Sequence, residues 1–159
     1  VEITGNPDNA GTMETICYTN TTMFGSGAGN GPWLLADLEA GTYPSDKAAD
    51  KSIPSITVPA FAAFFLNGFS NNHYALKWGD AQKGTLTTQW DGKRPPNPNA
   101  KNTYSPMLKQ GAIILGGGGD GSMFGKGTFF EGAITSGCSD DKTVDDAIQA
   151  SIVAAGFGK

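Results

Sequence analysis

A mainly β fold, a sandwich of short strands with one short helix near the C-terminus, is predicted by three features of this 159-residue sequence. Glycine supplies 23 residues without a three-residue period, which excludes a collagen-like helix and fits many tight turns. Short runs of β-branched and aromatic residues recur between clusters of Gly, Asn, Asp and Pro, the spacing of an all-β domain. The length and an apolar fraction of 38% allow one core, so one domain or a large piece of one is expected.

Seven runs read as strands: Met13 to Thr19, Trp33 to Glu39, Ile53 to Val58, His73 to Trp78, Thr85 to Trp90, Ala112 to Gly116, and Thr128 to Thr135. The proline-rich segment Arg94 to Asn99 reads as a surface loop, because similar strand patterns flank it. Near the end, Thr143 with Asp146 three residues later resembles a capping box. Val144, Ile148, Ile152 and Ala155 then mark one face of a helix that Gly156 ends. Asp140, Asp141, Asp145 and Asp146 cluster at its start, where the helix macrodipole alone favours acids, so a cation site is not inferred.

With 15 acidic and 11 basic residues, the chain's field repels phosphate backbones and anionic membranes. Neither nucleic acid nor membrane is therefore an expected partner. The most apolar stretch, Ala60 to Leu66, is far shorter than the roughly 20 residues that span a bilayer. The sequence starts at Val1 and shows no leader pattern, so any signal peptide is expected to have been removed. Cys17 and Cys138 lack the close spacing of zinc or redox motifs, leaving one disulfide or two buried thiols as readings.

Chemistry is sought first on Trp33 to Glu39. In a strand, Leu34, Ala36 and Leu38 face the core while Trp33, Leu35, Asp37 and Glu39 share the other face. Two carboxylates about 7 Å apart beside an aromatic ring make a candidate sugar cleft, although an isolated strand with solvated acids looks the same. A further acid, Asp120, follows Gly116 to Gly119, a loop through which backbone can approach a ligand closely. The loop lacks the GK[ST] ending of a phosphate-binding P-loop and the helix context of a dinucleotide fold. His73 is the only histidine, so no multi-histidine metal site is expected, nor any cofactor. Among the aromatics, Trp78, Trp90 and Tyr104 read as core residues, and Trp33 and Phe24 are retained as sugar-binding candidates.

Met13 to Glu39 (METICYTNTTMFGSGAGNGPWLLADLE) and Gly111 to Gly137 (GAIILGGGGDGSMFGKGTFFEGAITSG) resemble glycoside hydrolase family 54, the α-L-arabinofuranosidases. The likeness extends at intervals through Arg94-Pro95, Ser105 to Met107 and Ile152 to Ala155. The resemblance implies a concanavalin-like, jelly-roll-type two-sheet β-sandwich and a retaining exo-glycosidase acting on terminal arabinofuranosyl residues of hemicellulose or pectin side chains. It implies Glu39 as nucleophile, Asp120 as general acid/base, and Asp37 and Phe24 as residues that contact the sugar; Trp33, from the strand face, and Gly119, from the glycine loop, join them as substrate-binding candidates. After Glu39 the family pattern carries polar amides where this chain has Ala40-Gly41, which leaves a catalytically inactive, lectin-like sandwich as the alternative.

The resemblance also implies that residues 1–159 are the C-terminal portion of one catalytic domain. An N-terminal companion of the same precursor then completes the pocket, and the arabinose-binding module lies outside the chain. Secretion is expected, with an N-glycan at the sequon Asn20-Thr21-Thr22. In an oxidising compartment, Cys17 and Cys138 are expected to pair.

Overall fold

The computed structural model describes residues 2–3, 14–19, 25–37, 42–69, 73–93, 113–114, 127–137 and 142–159. Two antiparallel sheets and one helix account for its regular structure. The larger sheet contains β1 (Glu2–Ile3), β2 (Glu14–Thr19), β3 (Trp33–Asp37), β4 (Thr42–Tyr43) and β8 (Ile113–Ile114), in the order β4-β3-β2-β1-β8. The smaller is a meander of β5 (Ala62–Phe69), β6 (His73–Asp80) and β7 (Lys83–Lys93). Helix α1 spans Lys142–Ala155. Among the described residues, no helix is long and apolar enough to cross a membrane.

The alternation of strand side chains explains how the layers meet. Leu34 and Ala36 of β3, Tyr43 of β4, Ile56, and Tyr74 and Leu76 of β6 form one buried cluster. Phe64, Leu66, Trp78 and Trp90 pack around it, so even-numbered positions of the smaller sheet face the larger one. Each large apolar side chain removed from water there contributes about 1.5–3 kcal/mol before its ordering entropy is counted. Trp78 and Trp90 therefore pack, partly buried, against the core. Register shifts after Leu76 and between Trp78 and Asp80 bend β7 against β6, and the buried Gln89 amide reaches Pro54 O at 2.8 Å.

The opposite face of the smaller sheet is covered by α1, and the contact is polar. Lys77 Nζ lies 2.6 Å from Asp145 Oδ2, and Asn67 Nδ2 donates to the same oxygen at 2.7 Å. One turn on, Gln149 is 1% exposed and donates from Nε2 to Asp80 O at 2.8 Å. A Cβ on Gly79 would stand 2.8 Å from Gln149 Nε2, so glycine permits this close approach.

The helix begins and ends almost where its signals place it. Gly156 adopts φ of 75°, and its N–H donates to Val153 O. Its facing is different from the expected one: Asp145 and Gln149 are buried, whereas Val144 and Ile148 are 46% and 45% exposed. Asp145 is consequently more than a charge placed by the macrodipole, since Lys77 and Asn67 hold it.

Two predicted strands are not strands. In 53–58, Ile53 and Ile56 are buried, but Pro54 has no N–H for a ladder and the backbone bonds are individual ones, such as Ile56 N to Pro32 O at 2.8 Å. Residues 128–135 lie exposed with no ladder, next to Gly127, Gly132 and Gly137, the last at φ of 73°. Conversely, β5 was not among the expected strands. Its AAFFLNGF sequence lacks polar–apolar alternation because one face meets the larger sheet and the other meets α1. The segment Arg94 to Asn99 lies outside the described residues.

Candidate active site

The chain reaches β3 through a tightly braced turn, 25–33. Ser26 bridges to Ala49 in parallel, with Ser26 N donating to Ala48 O and Asp50 N donating to Ser26 O, both at 2.9 Å. Ala28 N donates to Ile53 O at 2.8 Å, and Lys51 Nζ donates to Gly27 O at 2.8 Å. Gly29 and Gly31 have φ of 67° and 74°, and Gly31-Pro32 is cis. Gly27 has no space for a side chain, since a Cβ would meet Ile53 O at 2.5 Å and the Trp33 ring at 2.7 Å.

Trp33 locks the turn from within. It is 1% exposed, and its indole N–H donates to Ala28 O at 2.7 Å. Leu35 is fully buried as well, so β3 is covered on both faces along Trp33 to Ala36. The expected open face beside Trp33 is thus closed in this structure, and the ring positions the turn instead of offering a surface for stacking.

Opposite the turn, residues 43–55 supply the brace. Asp50 Oδ1 accepts from the Ser52 hydroxyl at 2.6 Å and the Ser52 N–H at 2.9 Å, while Oδ2 accepts from the Ser45 hydroxyl at 2.7 Å. These bonds, led by the Ser52 hydroxyl and then that of Ser45, hold the Asp50 carboxyl down to about 2 from 3.8. Tyr74 Oη donates to Ser45 O at 3.0 Å, which ties the brace to the smaller sheet. Ser45, Asp50, Lys51 and Ser52 were not among the expected functional residues. An Asp followed two residues later by Ser, a common side-chain-to-backbone turn, was the available signal.

Asp37 is the last residue of β3, paired with Thr15 on one side and Thr42 on the other. The register continues from Thr15 to Glu2 and from Glu2 to Ile114. Asp37, Thr15, Glu2 and Ile114 therefore form one row across the larger sheet, with β3 and β8 separated by three strand spacings of roughly 4.8 Å. The strand that leads to Glu39 and the strand that leads to Asp120 belong to the same sheet. Glu39, Asp120, Gly119, Phe24, Asn20 and Cys138 lie outside the described residues, as do the side chains of Asp37 and Cys17.

His73 is a strand residue, half-buried beside Phe69 and 2.6 Å from Asp91. Among the described residues, no group of three or more His, Cys, Asp or Glu side chains is placed to hold a metal ion.

Comparison with known proteins supplies the family. The model for "Alpha-L-arabinofuranosidase B, catalytic" matches residues 1–158. Alpha-L-arabinofuranosidase B of Emericella nidulans is 46% identical over 156 residues, covering 97% of this chain and 28% of that protein. An arabinofuranosidase/β-xylosidase of Trichoderma koningii is 43% identical over 158 residues, covering 97% and 29% respectively. The chain thus spans less than a third of the length of these relatives.

Among solved structures, a glutamate-to-glutamine variant of a GH54 α-L-arabinofuranosidase soaked with 4-nitrophenyl α-L-arabinofuranoside superposes with a TM-score of 0.79 at 36% identity. An arabinofuranosidase complexed with arabinofuranosyl-α-1,2-xylobiose gives the same TM-score at 35% identity. Each covers 98% of this chain, which in turn covers 32% of each of those chains. On a family match that runs essentially end to end, the chain belongs to the arabinofuranosidase B catalytic family, glycoside hydrolase family 54.

Proposed function

We propose that this chain supplies both catalytic carboxylates of a retaining exo-α-L-arabinofuranosidase that removes terminal arabinofuranosyl residues from hemicellulose or pectin side chains. The observation that supports the reading is the family match, which runs through both motifs; the strands preceding Glu39 and Asp120, β3 and β8, also belong to one sheet. In this mechanism the Glu39 carboxylate attacks the anomeric carbon as Asp120 protonates the departing glycosidic oxygen. Asp120 then takes a proton from the water that cleaves the glycosyl–Glu39 ester, so the anomeric configuration is retained. Asp37 accepts hydrogen bonds from sugar hydroxyls, and its charge favours the protonated form of Asp120 if the two are close. Phe24 packs on the sugar, the Gly119 backbone borders it, and Trp33 serves the site by holding the turn that enters β3.

The same reading makes residues 1–159 the C-terminal portion of a concanavalin-type, jelly-roll catalytic domain completed by an N-terminal companion. It also takes the protein to be secreted, with a glycan at Asn20 and a Cys17–Cys138 disulfide. Arabinose release from an aryl arabinofuranoside by the complete domain tests the function. Glu39→Ala should abolish nearly all turnover. Asp120→Ala should cost about 10²- to 10⁴-fold on natural arabinosides and less on activated aryl glycosides. Sugar binding without any release of arabinose would favour the lectin-like alternative.

A further inference from the structure

We propose that Asp50 is a positioning residue for sugar recognition: through the loop it organises, it fixes the turn from which the chain leads back to Phe24. The proposal deepens the function given above and rests on the sugar-packing role assigned there to Phe24. That residue directly precedes Gly25 in the sequence. Consecutive Cα atoms are held about 3.8 Å apart, so fixing Gly25 and Ser26 confines the backbone at position 24.

The turn and the strand after it are held by different means. β3 is paired with β2 from Trp33 to Asp37, and with β4 at Ala36 and Asp37. The ladder thus holds the strand that leads to Glu39 without help from the 45–52 loop. Ser26 and Gly27 belong to neither sheet. Ser26 is held by Ala48 O and the Asp50 N–H, both at 2.9 Å, and Gly27 O accepts from Lys51 Nζ at 2.8 Å.

Asp50 gives that loop its shape. One carboxylate oxygen takes the Ser52 hydroxyl at 2.6 Å and the Ser52 N–H at 2.9 Å, and the other takes the Ser45 hydroxyl at 2.7 Å. Ser45 is fully buried, and its oxygen accepts from the Lys47 N–H at 3.2 Å. One side chain therefore gathers residues 45, 47 and 52 around the two backbone groups that Ser26 uses. Removing it frees the turn while leaving the β3 ladder intact, so the loss should fall on binding of the sugar and not on the nucleophile.

The test uses the complete catalytic domain, assayed on an aryl α-L-arabinofuranoside below the melting temperature of every variant. Asp50→Ala should raise KM about 10-fold and leave kcat within about twofold, the pattern of lost uniform binding. Asp50→Asn keeps the shape and an acceptor oxygen, and should raise KM no more than about twofold. Ser52→Ala retains the backbone bond to Asp50, and should raise KM about threefold even if Asp50→Ala does not fold. In a Phe24→Ala background, Asp50→Ala should change KM no further, because both act through one contact. A lowered melting temperature with KM unmoved, a fall in kcat at constant KM, or additive effects of Asp50→Ala and Phe24→Ala would overturn the proposal. If the parent released no arabinose, the proposed function would fail, and calorimetric titration with the same arabinoside would still decide the role of Asp50. Affinity weakened about 10-fold by Asp50→Ala would support that role, whereas equal affinities or no binding by the parent would overturn it.

Discussion

Asp50 shows how much a single carboxylate can organise. It accepts three hydrogen bonds across the loop that braces the entry to β3, and its pKa is lowered to about 2. A lowered folded-state pKa means that the stabilisation is complete above the unfolded value near 3.8 and disappears as pH falls through about 2. Asp50→Asn should lower the melting temperature at pH 7 and remove this contribution to acid sensitivity between pH 4 and 2. Parallel melts of both proteins over that range check it, and identical pH profiles would count against the assignment. Lys77 and Asp145 are a second case, each with a side chain about one-tenth exposed. Asp145→Ala strands a buried ammonium and should cost about 3–5 kcal/mol, whereas Lys77→Met with Asp145→Leu should recover most of that loss. Urea unfolding of the two variants beside the parent decides it; equal costs for the single and double changes would refute the pairing argument. Neither interaction was read from the sequence. The Asp50 turn had a local signal, but the partners Lys77 and Asp145 are separated by a sheet hairpin and a long connection, so only folding brings them together.

At the scale of elements, the C-terminal end of α1 was legible because Gly156 acts locally, whereas the helix begins at Lys142, one residue before the Thr143 of the capping pattern. Its orientation was not legible, because the apolar stripe and the buried face are different faces. The hydrophobic pattern names the side that seeks cover, whereas the hydrogen bonds of Asp145 and Gln149 decide which side the sheet receives. β5 failed for a related reason: covered on both sides, it lacks the alternation that marks a half-exposed strand. The stretch 53–58 had suitable β-branched residues, but Pro54 and its one-to-one backbone partners keep it out of a sheet. The close seat of the helix makes its own prediction. Gly79→Val places carbon where the Gln149 amide now lies, at 2.8 Å, and should displace the middle of α1. Hydrogen exchange should then accelerate across α1 while the β6–β7 hairpin amides stay protected; unchanged protection of α1 would show that the contact is dispensable.

For the whole molecule, the two sheets close on one core through Leu34, Ala36, Tyr74 and Leu76, and α1 covers the far side of the smaller sheet. The sandwich and its C-terminal helix were readable from strand spacing, glycine content and capping residues. Family membership was readable from long motifs around Glu39 and Asp120, whose strands the fold gathers into one sheet. One strand's alternation does not reveal that the 25–33 turn folds back over Trp33, just as it does not reveal β5 or the facing of α1. Covalent labelling of the complete catalytic domain with an electrophilic arabinofuranose-shaped reagent, followed by peptide mapping, tests the proposed role of Glu39 as nucleophile. One adduct per active site is expected, on the peptide containing Glu39, and none after Glu39→Gln. A stable adduct on another carboxylate, with Glu39 unmodified and its Gln variant still labelled, would contradict it.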